Sequence, residues 1–270
     1  MLPNHYMDVS LGPDDGTLAY FSRVPVGTVI VFVHGLNGHA IDTWERMHEL
    51  LPSEAAAAGV DIVFYGYQSM KSQALMSANL LRQFISDLNN PNSAVCQLAP
   101  RERRAAYPRL VYKKILLVGH SLGGALARRV MLDALKLKEA WAKRTRLVLF
   151  APAHCGTFLA ELKKEIRGTS KIISVFAALL DLNVPVLTDL EPDSSFIKSL
   201  REETLIQLKR HPKAPLKAEV VIFGQFEKIV AGQNFCDDPP SVSWPRQNHT
   251  SVCKANQTFR DPLTEILIRL

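Results

Sequence analysis

Short, uniformly apolar runs rich in β-branched residues alternate along this chain with longer segments in which apolar positions recur every three or four residues. The first kind matches strands buried on both faces and the second matches amphipathic helices. Their alternation is the pattern of βαβ units in a mostly parallel sheet with helices on both faces. Five runs predict strands: Val29 to Val33, Val60 to Tyr65, Ile115 to Val118, Leu147 to Phe150 and Val220 to Phe223, apolar throughout apart from Asp61. Helical spacing predicts helices over Trp44 to Ala58, Ser72 to Leu88, Leu122 to Ala142 and Pro262 to Leu270. Right-handed crossovers between parallel strands then set the helices on both sides of the sheet.

Two stretches interrupt the alternation. Gly156 to Pro215 is too long for a simple connection and contains apolar helical segments at Ile172 to Leu180 and Phe196 to Leu208, so it reads as a helical cap inserted after a strand, at about 156–215. Asn89 to Arg109, with its Asn, Pro and Arg clusters, reads as a loop excursion. The 270 residues are expected to form one α/β domain. The most apolar window, Ile172 to Leu190, is broken by Asp181, Asn183, Pro185 and Asp189 and does not read as a membrane span.

Composition narrows the function classes. Hydrophobic residues make up 47% and charged residues 21%, the balance of a globular protein and not of a disordered one. The net charge of +6 sits partly in short runs, Arg101-Glu102-Arg103-Arg104 and Lys163-Lys164, with no nucleic-acid-binding module, so no nucleic-acid partner is expected. A solvated face explains the excess most simply, and peripheral contact with an anionic membrane is the functional alternative. Cys96, Cys155, Cys236 and Cys253 have neither zinc-ligand spacing nor the density of a disulfide framework, so reduced thiols and no metal are expected. The first eight residues carry no basic and apolar leader pattern, which favours a cytoplasmic protein.

The chemistry is concentrated in Gly119-His120-Ser121-Leu122-Gly123-Gly124, between a predicted strand and a predicted helix. A sharp strand-to-helix turn lifts a serine hydroxyl clear of the sheet, and it needs small residues two before and two after, where a side chain would strike the neighbouring strand and helix. Ser121 is therefore the candidate nucleophile. Upstream, Val33-His34-Gly35-Leu36-Asn37-Gly38 closes another strand with a glycine-rich turn, and the backbone amides of Leu36 and Leu122 are the candidate oxyanion donors.

The base is expected after the nucleophile in chain order, leaving His154, His211 and His249; His249, in a polar loop between the last strong strand and the closing helix, fits best. Glu227, in the turn after Val220 to Phe223, is the candidate orienting acid, with Asp237 and Asp238 in the next loop as alternatives. His34, His120 and His154 are expected to line the site. No step in this chemistry calls for a cofactor.

These residues carry a resemblance to the α/β-hydrolase superfamily, and within it to the intracellular lipase and esterase group that includes the serine-active-site-containing and GPI inositol-deacylase-like enzymes. The resemblance rests on Phe32 to Gly38 with Trp44 shortly after, on Asp61 to Tyr67, and on Gly119 to Gly124 with Arg128 following. It continues through Ala151 to Thr157 and His249 to Lys254, with Leu190 to Phe196 similar to the stretch that follows the cap. It implies the α/β-hydrolase fold and cofactor-free hydrolysis of lipid or ester bonds, with Ser121, Glu227 and His249 at the triad positions. Relatives mostly carry Asp in the acid position, so Glu227 departs from the pattern.

The expected activity is thus hydrolysis of a small-molecule ester or lipid. One rival is a receptor-like relative whose pocket binds a ligand without turnover. Another is a phospholipase effector acting at membranes. The cap residues Val175, Phe176, Leu179 and Leu180 form either an acyl-chain pocket or simple packing against the body.

Overall fold

In the computed structural model, residues 5–10, 16–158, 185–230, 232 and 234–270 are described. Eight strands form one sheet: β1 (His5–Ser10), β2 (Leu18–Ser22), β3 (Thr28–Val33), β4 (Asp61–Tyr65), β5 (Lys114–His120), β6 (Thr145–Phe150), β7 (Ala218–Gly224) and β8 (Val242–Trp244). Their order is β1-β2-β4-β3-β5-β6-β7-β8. The hairpin partners β1 and β2 and the β2–β4 contact are antiparallel, and every pair from β4 through to β8 is parallel. The five strands predicted from apolar runs are the five central neighbours, where both faces are covered and an unbroken apolar run is the stable choice.

Asp61, the exception in those runs, is fully buried at the start of β4. Its carboxylate accepts hydrogen bonds from the Ser22 amide at 2.7 Å and the Tyr112 hydroxyl at 2.6 Å and pairs with Arg103. A buried charge is tolerated when so many donors meet it.

The described α-helices are α1 (Met47–Leu50), α2 (Ala74–Leu88), α3 (Ala94–Gln97), α4 (Arg101–Ala106), α5 (Leu122–Lys136), α6 (Pro185–Asp189), α7 (Ser195–Arg210) and α8 (Asp261–Leu267). Three expectations need correction. Trp44 to Ala58 is not one helix: Glu45 has φ 56°, and α1 is followed by two 3₁₀ turns, Leu51–Ser53 and Ala55–Ala57, broken where Pro52 brings no amide and Glu54 turns extended. Leu122 to Ala142 stops at Lys136, because Lys138 takes φ 58°; a 3₁₀ segment, Ala140–Arg144, then buries Trp141. Asn89 to Arg109 is not all loop: Ser93 caps α3, its hydroxyl accepting from the Cys96 amide at 3.1 Å, and α4 follows Pro100.

Within the expected cap, the segment Phe196 to Leu208 lies in α7, which packs on α5. The segment Ile172 to Leu180 lies outside the described residues. Among the described residues no helix is long and apolar enough to cross a membrane.

Parallel pairing matters for the site because it aligns strand ends. Val33 sits opposite Gly119, His120 opposite Phe150, and Gly224 opposite Trp244. The loops leaving β3, β5, β6 and β7 therefore meet at one sheet edge, where ligand sites of open α/β sheets form.

Candidate active site

Ser121 occupies the turn between β5 and α5 with φ 53° and ψ −122°, a conformation rare for a residue with a side chain and costing about 1–3 kcal/mol. Four backbone hydrogen bonds hold it there: the Ser121 amide donates to Phe150 O at 3.0 Å, and its carbonyl accepts from the Gly124 amide at 3.0 Å, the Ala125 amide at 3.4 Å and the Ala153 amide at 2.9 Å. The flanking glycines are sterically required. A Cβ on Gly119 would stand 2.7 Å from the Gly124 Cα, and one on Gly123 only 2.1 Å from the Val33 carbonyl oxygen.

The Ser121 Oγ lies 2.9 Å from His249 Nε2, and His249 Nδ1 lies 2.9 and 3.1 Å from the two Glu227 carboxylate oxygens. All three side chains are buried. A carboxylate on Nδ1 keeps the proton on that nitrogen and leaves the Nε2 lone pair for the serine hydroxyl. Burial alone would raise the Glu227 carboxyl; the His249 hydrogen bond and charge, with the Ile229 and Val230 amides at 2.8 and 3.1 Å, outweigh it and lower it. Glu227 is thereby held ionised.

Backbone ties bring Glu227 and His249 together from separate loops. The Gln225 amide donates to Trp244 O at 2.8 Å and the Phe226 amide to Gln247 O at 2.9 Å, which fastens the turn after β7 to the segment leading into His249. His120 then pins the base from below, its Nε2–H donating to the His249 carbonyl at 2.8 Å. Burial lowers the His120 ring to about 3, so it stays a neutral donor beside the site.

The candidate oxyanion donors, the Leu122 and Leu36 amides, belong to residues beside Ser121. Leu122 opens α5, where first-turn amides lack a helical acceptor. A Cβ on Gly35 would stand 2.8 Å from that of Ser121, so the turn carrying Leu36 lies directly against the serine. Both residues border Ser121, Leu36 as a wall of its cavity.

That cavity, of about 230 Å³, is lined by His120, Ser121 and His249 together. His34 does not reach it. His34 lines an adjoining cavity, with Nδ1 donating to Gly35 O at 2.8 Å, its ring stacked on Tyr67 at 4.3 Å and burial lowering it to about 4. His154 is also elsewhere: its Nδ1 accepts from Arg128 Nε at 2.8 Å and its ring stacks on Phe235 at 4.9 Å, because Arg128 reaches across from α5 to claim it.

The alternative acids do not approach His249. Asp238 pairs with buried Arg128 and accepts the Ala218 amide at 2.9 Å, at the far end of β7 from Glu227. Asp237 is exposed and meets Lys217 at 3.6 Å. Sequence reasoning missed the Ile229 and Val230 amides, which no side-chain motif announces, and Lys254, a cavity-wall residue five positions after His249. Among the described residues no cluster of His, Cys, Asp and Glu is arranged to hold a metal ion.

A mostly parallel α/β sheet with a strained serine at a strand-to-helix elbow defines the architecture of the α/β hydrolases. The profile of the alpha/beta hydrolase family matches residues 30–262, and the chain belongs to that family. It is similar to Protein SERAC1 of Mus musculus, 26% identical over 196 residues that make up 67% of this chain and 28% of the mouse protein. Protein SERAC1 of Danio rerio is 27% identical over 160 residues, 53% of this chain and 24% of that protein. The chain thus spans about a quarter of the length of these curated relatives.

Solved structures show the same fold. The monoacylglycerol lipase of Paleococcus ferrophilus aligns with a TM-score of 0.54 at 14% identity, covering 95% of this chain and 99% of that one. The peroxisomal alpha-beta-hydrolase Lpx1 of Saccharomyces cerevisiae aligns with a TM-score of 0.54 at 12% identity, covering 99% of this chain and 87% of that one.

Proposed function

We propose that this chain is a serine hydrolase that cleaves carboxylic esters through an acyl-enzyme on Ser121. The observation that carries this reading is the buried hydrogen-bonded line from Ser121 Oγ through His249 to Glu227, ending on a serine held in a strained turn. A serine that only packs or binds has no need of that strain, of a base at 2.9 Å, or of an ionised acid behind the base.

In the proposed reaction His249 Nε2 takes the hydroxyl proton as Oγ bonds to the carbonyl carbon, and the carbonyl electron pair moves onto oxygen. The Leu36 and Leu122 amides donate to that oxyanion. The imidazolium, stabilised by Glu227, gives its proton to the departing alcohol, leaving an ester on Ser121. Water attacks this acyl-enzyme, its proton passing to His249 and on to Ser121 Oγ as the acid leaves.

The direct test is turnover of a p-nitrophenyl ester. Ser121→Ala should lose about 10⁴–10⁶-fold in kcat while melting like the parent protein. Retention of full turnover by that variant overturns the assignment. A pocket that binds without turnover, the receptor-like alternative, would leave the parent protein itself inactive on every ester. A membrane role is supported by the net charge of +6 alone and predicts salt-sensitive co-sedimentation with anionic liposomes.

A further inference from the structure

The described wall of the Ser121 cavity sets polar and charged side chains into a mainly apolar surface. Leu36 and Ile229 are set there among His39, Asp42, Thr43 and Lys254. The cavity shares Asn37, Gly38, His39 and Asp42 with the adjoining one, of about 580 Å³, whose wall runs on to Gln68, Ser69 and Lys71. The two adjoin as a trough in which a few charged side chains stand beside apolar surface, the arrangement by which a pocket orients a substrate through a small number of polar groups.

Charge within the trough is uneven. Asp42, exposed, is the carboxylate common to both walls, against Lys254, Lys71 and His39. Lys254 differs from Lys71 in being half-buried and in sitting on the turn that carries His249, its amide donating to Ser251 O at 3.1 Å. Its charge is felt at His120, directly beneath the serine and base. Among the described residues several other half-buried or buried cations face carboxylates, Arg82 with Glu139, Arg103 with Asp61, Arg128 with Asp238 and Arg129 with Asp133, while half-buried Arg104 and Arg144 donate to the uncharged oxygens of Gln97 and Ala99 and of Tyr112. Lys254 has no such ion pair among the described residues, although removing an ammonium from bulk water is unfavourable without an anion to meet it.

We propose that the ester cleaved at Ser121 carries an anionic group, carboxylate or phosphate, on the part that lies in this trough, and that Lys254 recognises it. The inference rests on the reading of Ser121 as nucleophile and adds a substrate class to it. Lys254 is a specificity-determining residue in this account: it meets the substrate's charge and takes no part in proton transfer. An ammonium at a partly desolvated wall favours an anionic over a neutral substrate by about tenfold or more, and salt weakens the preference.

The test compares matched esters bearing a neutral methyl ester, a carboxylate or a phosphate, placed on the acyl side in one set and on the alcohol side in another. The quantity read is the ratio of kcat/KM for the anionic and neutral members within each protein, so a variant that folds poorly lowers both values alike. In the parent protein one set should favour the anion about tenfold or more. Lys254→Gln should bring that ratio near one, Lys254→Glu should invert it, and Lys254→Arg should keep most of it. The favoured member identifies the anion as carboxylate or phosphate. Turnover with the same ratio in the parent protein and Lys254→Gln, in both sets, overturns the proposal alone. Absence of turnover on every ester in the parent protein overturns the Ser121 reading, and this one with it.

Discussion

Two buried acid–base pairs depend on the chain that follows β7, and they use their carboxylates in opposite ways. Glu227 faces His249 with side chains 8% and 5% exposed, and Asp238 faces Arg128 with side chains 3% and 2% exposed. Burial is the same; the partners differ. Arg128 is permanently charged, and its donors are committed to Asp238, His154 and Leu216 O, with Phe235 stacked against its plane at 4.3 Å. Such a pair ties α5 to the start of β7 and has no proton to give. His249 is an imidazole that can take up and release a proton, and it keeps one nitrogen directed at a serine. A carboxylate becomes part of the proposed chemistry when its partner is an imidazole with a second, open end.

The comparison breaks most sharply under substitution of each acid by its amide. Glu227→Gln should lower kcat on a p-nitrophenyl ester about 10³–10⁴-fold while lowering the urea midpoint less than Asp238→Asn does, because it leaves no charged partner buried alone. Asp238→Asn should do the reverse. Removing one charge of a buried pair destabilises by about 3 kcal/mol, seen as a lowered urea midpoint, with ester turnover under native conditions within about tenfold of the parent. If Asp238→Asn abolishes turnover in a protein that is still folded while Glu227→Gln does not, the roles assigned here are exchanged. Asp237→Asn, which touches only an exposed pair with Lys217, should move neither quantity, its effect on stability staying below about 0.5 kcal/mol.

A smaller effect concerns the histidines that frame the site. Burial lowers His34 to about 4 and His120 to about 3, from an ordinary value of 6.5. Between those limits the unfolded chain binds protons that the folded protein refuses, so stability is complete above pH 6.5 and is lost as pH falls below it. At pH 5 each ring should cost about 2 kcal/mol relative to neutral pH, measured by urea denaturation across that range. Glu227 acts at a lower pH: its depressed carboxyl contributes stability above the unfolded value, and that contribution disappears as pH falls through the folded value.

The centre of the fold was legible in the sequence because central strands must be apolar on both faces. Its edges were less so. The edge strands β1 and β8 carry no continuous apolar run of the kind that marks β3 to β7, and β2, antiparallel to both its neighbours, has a four-residue apolar run, Leu18 to Phe21, that the alternation of parallel units did not single out. The chain from Trp44 to Ala58 has helical periodicity, yet Glu45 and Pro52 divide it into turns, a local backbone choice that periodicity does not report.

At the site, Ser121 was legible because its turn constrains several neighbours at once. His249 followed from its place in the chain. The choice among Glu227, Asp237 and Asp238 was not legible, since it depends on Arg128 reaching from α5 to take Asp238 and His154 out of contention. The distance between Gly35 and Ser121 likewise exists only once β3 and β5 are paired in register.

The central claim, an activated serine at position 121, is tested most directly by mass spectrometry of the intact protein after exposure to a fluorophosphonate. A single adduct mapping to Ser121, absent in Ser121→Ala and formed much more slowly in Glu227→Gln, is the predicted result. An unlabelled parent protein, or an adduct that persists in Ser121→Ala, would contradict it.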